Sequence, residues 1–339
     1  MPITTPLTSL LGITHPILSA PMATIAGSRL VAAVGEAGGF GILGGGYGDK
    51  AWLEQETAKL AKLRSPFGIG FITWSMARQP ELLDIALKAK PRAIMLSFGD
   101  PKSHATRIKA AGSLLICQVQ DEDMAKQALD AGADILIAQG TEAGGHGASR
   151  TLIDIVPAVI DLAAGRVPVV AAGGLADGRG LAAMMMLGAS GVMLGTRFYA
   201  SVECDGAEEA KQRICAADSG ETVRSIIFDV SRKLWWPAPF TGRALINDHA
   251  RRWMGREVEL VQNVEAVASE YIAARDAGNF DIAGVFAGNG VGLIHDVPAA
   301  AEIVERIATE ADQILSGQRN FPQAQRAPRN SSRGEQDVA

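Results

Sequence analysis

The sequence predicts an α/β protein, a parallel (β/α)8 TIM barrel with a smaller, mostly helical C-terminal lobe, and three observations carry that prediction. Eight short apolar runs bounded by glycine or proline fall before residue 195. Stretches of good helix formers alternate with them. Glycine-rich loops follow several of the runs rather than the first alone.

The runs occupy residues 16–20, 40–43, 67–72, 93–98, 114–119, 135–138, 167–171 and 191–194, and their Val, Ile, Leu and Ala content suits strands buried on both faces. Between them, residues 28–37, 51–63, 80–88, 121–130, 152–164 and 179–187 have helical period. Strict alternation forces parallel strands with right-handed crossovers, and eight such units can close into a barrel whose functional loops follow the strand C-termini. An open doubly wound sheet is the competing fold, but it would gather its binding loop after the first strand.

After Ser201 the pattern changes. Residues 203–219 are polar and helical, and residues 225–255 carry Trp235, Trp236, Pro237, Pro239 and Trp253 without strand alternation. Residues 297–315 have apolar positions at helical spacing and should return as the last outer helix. The expected organisation is a barrel from 1–205 and 296–318, a substrate-covering helical lobe over 206–295, and a disordered tail over 319–339, where apolar residues are scarce.

Bulk composition excludes several function classes. Lys plus Arg total 32 against 37 Asp plus Glu, a net charge of −5, so no chain-wide field attracts nucleic acid or an anionic membrane. The arginines of the tail are few, unlike the basic, aromatic-rich surface of a nucleic-acid binder. Three cysteines without CxxC spacing suggest neither a disulfide framework nor a zinc site. No leader-like segment or membrane-length apolar run is present, so a cytoplasmic protein is expected. His15, His104, His249 and His295 lack partners at metal-ligand spacing, and no metal site is expected.

The chemistry concentrates in two places. Residues 167–180 (VPVVAAGGLADGRG) and 191–200 (GVMLGTRFYA) are consecutive final strands that each end in glycine. Gly173 and Gly174 precede a helix beginning near Asp177, and Gly195 with Thr196 repeats the device, so backbone N–H groups should converge on one anion. Loops after the last two strands are the usual phosphate site of such barrels. Tight turns alone would explain one such pair of glycines; two on adjacent strands favour phosphate. No GxGxxG follows the first strand, so a dinucleotide fold is not supported.

The second place is residues 138–147 (AQGTEAGGHG). Gln139 could hydrogen-bond a heteroaromatic ring edge, Glu142 is placed to anchor the loop, and Gly144 and Gly145 present His146, which can exchange protons near neutral pH. Gln118 is a polar residue at a strand end. Ala20, Pro21 and Met22 follow the first strand, where methionine could lie along a flat ring or simply pack the core.

With PILSAPM, GGFGILGGG, AQGTEAGGHG, VPVVAAGGLADGRG and GVMLGTRF assembled, the chain resembles the nitronate monooxygenase (2-nitropropane dioxygenase) family and the related FMN-dependent NADH:quinone reductases and flavin enoyl-ACP reductases. The resemblance spans most of residues 10–205 and recurs over 288–302. It implies an oxidoreductase flavoprotein with FMN at the C-terminal face of the barrel. Ala20, Pro21 and Met22 would line the flavin. Gln118, Gln139, Ala143, Gly144 and Gly145 would contact it, and Gly173, Gly174, Gly195 and Thr196 would hold its phosphate. His146 matches the family's active-site histidine. The implied monooxygenase reaction takes a nitronate or nitroalkane and dioxygen to a carbonyl compound and nitrite. NAD(P)H-dependent reduction of a quinone or enoyl group is the alternative, and a non-catalytic flavin-binding protein is the alternative of another class. A homo-oligomer is left open. One departure concerns residues 67–70: the family often carries Asn where this chain has Gly70.

Overall fold

The computed structural model describes residues 3–318; the predicted tail over 319–339 lies outside them. Eight parallel strands form one sheet: β1 (Ile17–Ser19), β2 (Gly41–Gly44), β3 (Phe67–Ile72), β4 (Ala93–Ser97), β5 (Leu114–Val119), β6 (Ile135–Gln139), β8 (Val169–Ala172) and β9 (Gly191–Leu194). The intervening β7 (Gly145–Gly147) belongs elsewhere. The strand order is β1-β9-β8-β6-β5-β4-β3-β2, and a parallel bridge from Leu18 to Phe40 joins the two edges into a nearly closed barrel. Each expected strand is present, with ends moved by at most two residues.

Alternation along the strands separates two cores. Leu18, Ile42, Met95, Ile116, Ile137, Val170 and Met193 fill the barrel interior, while Ile17, Leu43, Ile94, Leu96, Leu136, Val169 and Val192 face the helices. A short helix the sequence reading did not anticipate, Pro6–Leu11, buries Leu7 and Leu11 in the interior cluster, with Leu7 close to Gly191 at the start of β9. It therefore plugs the N-terminal end of the barrel and leaves the opposite end for function. Thr5 and Thr8 form a reciprocal capping box at its start.

The helix Ala300–Leu315 buries Ala300, Ile303, Val304, Ile307, Ala308 and Ala311, an i, i+3/i+4 stripe. It packs between the helices Ser28–Glu36 and Gly178–Met186, completing the outer ring as expected.

Residues between the barrel and this helix form the mostly helical lobe, which has small cores of its own: Ile227, Val230, Trp253, Leu260 and Val267 in one, Phe228, Ala244, Ala250 and Tyr271 in the other. Its two strands depart from the sequence reading. β10 (Thr222–Ser225) pairs antiparallel with β11 (Thr241–Leu245), and β11 pairs with β7. The lobe thus grips the loop after β6 by backbone hydrogen bonds.

Candidate active site at the barrel mouth

A cavity of about 440 Å³ opens at the C-terminal end of the strands, a size suited to a small-molecule site. Every residue that the resemblance puts at the flavin lines it: Ala20, Pro21, Met22, Gln118, Gln139, Ala143, Gly144, Gly145, His146, Gly173, Gly174, Gly195 and Thr196.

At the glycine end, Gly173 (φ +131°) and Gly174 (φ +67°) adopt backbone conformations that disfavour a side chain. The amides of Gly173, Gly174, Gly195 and Thr196 make no hydrogen bond to the chain among the described residues. Unpaired donors converging on a cavity suit an anion, so the residues present fit a single phosphate group. The helix after β8 contributes less than expected. Its Gly180 N–H donates to the Asp177 carboxylate (3.2 Å) and its Gly178 N–H to Glu310 (2.7 Å), so its first turn is already satisfied.

The loop after β6 is fixed from several sides. Leu152 N–H donates to Glu142, which ties the loop to the start of the next helix. Gln139 Oε1 accepts from Gln118 (3.2 Å) and Gln120 (2.9 Å), and its Nε2 donates to the His146 carbonyl (3.1 Å). These bonds tie Gln139 to the loop it was expected to adjoin. A Cβ on Gly144 would come 2.6 Å from the backbone of residues 287–288, so loop and returning chain pack backbone to backbone. Arg224 on β10 donates to the carbonyls of Thr141, Ala143 and Gly147. Gly70 also has a reason: its Cβ would lie 2.5 Å from Pro21, leaving no room for the family's larger residue.

His146 sits in an aromatic enclosure. Its imidazole stacks on Trp236 with centroids 3.5 Å apart and planes 7° from parallel, and Phe98 meets it edge-on at 6.4 Å. Trp236 in turn contacts Trp74, Phe240 and Tyr47, whose hydroxyl accepts from the indole Nε1 (3.2 Å). Trp236 therefore lines the mouth, Phe240 is buried behind it, and Trp235 is exposed. Burial lowers the pKa of His146 below the ordinary 6.5, against the opposing influence of the Asp229 carboxylate, which lies 2.9 Å from Nε2. Both side chains are nearly inaccessible, at 8% and 5% exposure.

Asp229, Tyr47, Phe98 and Arg224 were missed from sequence, yet two left signals. Asp229 interrupts the apolar stretch IIFDV, where an acid must find a partner. Tyr47 stands between glycines in GGGYGD after the second strand. Phe98 left none: its φ of +64°, rare for a bulky residue, is visible only in the fold.

The nitronate monooxygenase family model matches residues 4–310. The chain is 32% identical to a nitronate monooxygenase of Neurospora crassa, over 88% of this chain and 89% of that one. It is 29% identical to a (3aS,4S,5R,7aS)-5-hydroxy-7a-methyl-1-oxo-octahydro-1H-indene-4-carboxyl-CoA dehydrogenase of Mycobacterium tuberculosis, over 92% and 97%. Among solved structures, FabK from Thermotoga maritima superposes with a TM-score of 0.82 at 32% identity, covering 94% of this chain and 99% of that one. No helix among the described residues is long and apolar enough to cross a membrane. The chain is an oxidoreductase, and it belongs to the nitronate monooxygenase family.

Proposed function

We propose that the chain binds FMN at the barrel mouth and oxidises alkyl nitronates, or the parent nitroalkanes, with dioxygen to a carbonyl compound and nitrite. The observation that carries this reading is the joint placement of four unpaired glycine-loop amides and the enclosed His146 on one cavity. When bound, flavin supplies the electron transfer between nitronate and dioxygen, which no side chain of the cavity can. Gly173, Gly174, Gly195 and Thr196 would hold its phosphate, Ala20, Pro21 and Met22 would lie along the ring, and Gln118, Gln139, Ala143, Gly144 and Gly145 would border it. His146, mostly neutral at pH 7 because of its burial, can accept a proton from a neutral nitroalkane. Trp236, Phe98 and Phe240 would exclude water, so a small, largely apolar substrate fits best. The lobe over 206–295 would cover that substrate.

The likeness to FabK and to a dehydrogenase favours a second reading, in which reduced nicotinamide donates hydride to the same cofactor. Anaerobic mixing of the flavin-loaded protein with propionate-3-nitronate and, separately, with NADH and NADPH decides between them. Bleaching of the flavin by nitronate supports oxidation; bleaching by a nicotinamide alone overturns it.

A further inference from the structure

The ring of His146 has only one edge left for chemistry. Trp236 covers a face, Phe98 meets the ring edge-on and Phe286 approaches it at 5.8 Å. Nε2 points at both carboxylate oxygens of Asp229, at 3.0 and 2.9 Å. Asp229 is held in turn by Arg232, whose Nη2 donates to Oδ1. Nδ1 has no hydrogen-bond partner among the described residues and is not among the buried unpaired atoms, so of the two nitrogens it is the one left accessible, on a residue that lines the cavity.

From this geometry we infer that Asp229 is a positioning residue that fixes the proton of His146 on Nε2 and so makes Nδ1 the atom that receives the substrate proton. A carboxylate cannot donate, so an imidazole nitrogen facing it carries the hydrogen. The lone pair is then on Nδ1. This assignment rests on the nitroalkane reading above for its substrate. In the step, the C–H bond next to the nitro group breaks, its proton passes to Nδ1, and the electron pair moves onto the nitro group to give the nitronate. The imidazolium so formed lies against Asp229, which stabilises it as charge develops. Three charged groups act on the ring: Asp229 favours the imidazolium, and Arg232 and Arg224 on β10 oppose it.

The dyad and the substrate reading are tested by separate measurements. In flavin-loaded protein with 15N-labelled histidine, His146 being identified by loss of its signal in His146→Gln, wild type at pH 7 should show a protonated Nε2 and an unprotonated Nδ1. The opposite tautomer in wild type overturns the inference without any variant. Asp229→Asn should shift proton density towards Nδ1 and lower the pKa of the imidazole, and Asp229→Glu should restore part of both. With neutral nitroalkane, kcat/KM of Asp229→Asn should fall by roughly 10²- to 10⁴-fold, while a preformed nitronate changes less than about tenfold. An unchanged tautomer and pKa in Asp229→Asn would refute the dyad. Failure of all nitro substrates with the expected tautomer would refute the substrate reading alone.

Discussion

The imidazole of His146 lies flat on the indole of Trp236, with centroids 3.5 Å apart, so a lobe residue sets the position of a side chain carried by a barrel loop. The lobe cores do without Trp236, which makes the stack a feature of the site rather than of lobe folding. Trp236→Ala should therefore keep its flavin. Freed from the stack, His146 should lose alignment, and kcat/KM should drop by roughly 10- to 100-fold. The loss should fall more on KM for longer-chain substrates than for short ones, since part of the apolar wall is gone. Steady-state kinetics over a chain-length series checks this; a uniform loss would remove the wall from the argument.

The pH dependence follows from the burial of His146. Its pKa lies below 6.5, so the imidazole is mostly neutral, and able to accept a proton, at pH 7. As the pH falls through the lowered value the ring becomes charged and can no longer act as base. For neutral nitroalkanes kcat/KM should show an acid limb with its midpoint below pH 6.5, approaching tenfold per unit on its acid side. Preformed nitronates need no proton removed, and their profile should be flat over the same interval. Parallel limbs for both substrate forms would show that His146 does not act as the base.

How much of this was legible in the sequence depended on whether a residue's role is local. The eight barrel strands are buried on both faces, so their apolar runs announce them, and glycines after β8 and β9 mark turns with few alternatives. β10 is different. Thr222–Ser225 is half-buried throughout and has no apolar alternation; it is a strand because β11 completes its hydrogen bonds. The helix Lys102–Ala110 buries only His104, Ala105 and Ile108, too few apolar positions to show a period. Asp229 stands 83 residues from His146, and their pairing is a product of the fold.

The phosphate cradle is best probed at Gly195. A side chain at Gly174 would be strained by φ +67° and would meet Glu142 Cβ at 2.8 Å, so loss of flavin there would not isolate the anion site. Gly195 has an ordinary φ of −101°, and a Cβ would touch nothing nearer than Ala20 at 3.6 Å. Gly195→Ala should keep its flavin. Gly195→Asp places a carboxylate beside the phosphate, a repulsion of about 4 kcal/mol at close range, or roughly 10³-fold in affinity. Flavin content with circular dichroism distinguishes the outcomes, and full occupancy in the aspartate variant would place the phosphate elsewhere.

Arg224 holds the His146 loop as a fork. Its Nη2 donates to Thr141 and Ala143 carbonyls at 2.9 Å, and its Nη1 to Gly147 at 3.2 Å and to Thr241 on β11. Burial and the neighbouring Arg243 lower its pKa to about 10, which still leaves it charged at neutral pH. Replacement by methionine would keep the stem but leave several part-buried carbonyls without donors, a loss on the order of 3 kcal/mol. Arg224→Lys keeps the charge but offers a compact ammonium in place of a planar fork, so it should recover only part of the stability. The effect should be local first. Hydrogen exchange should quicken at the amides of residues 140–147, including the β7 pairing with β11, while β3, β4 and β5 stay protected. Loosening that loop also releases Gln139 from the His146 carbonyl, so turnover should fall with flavin retained. Unchanged exchange over residues 140–147 in Arg224→Met would show that β7 and Glu142 hold the loop without the arginine.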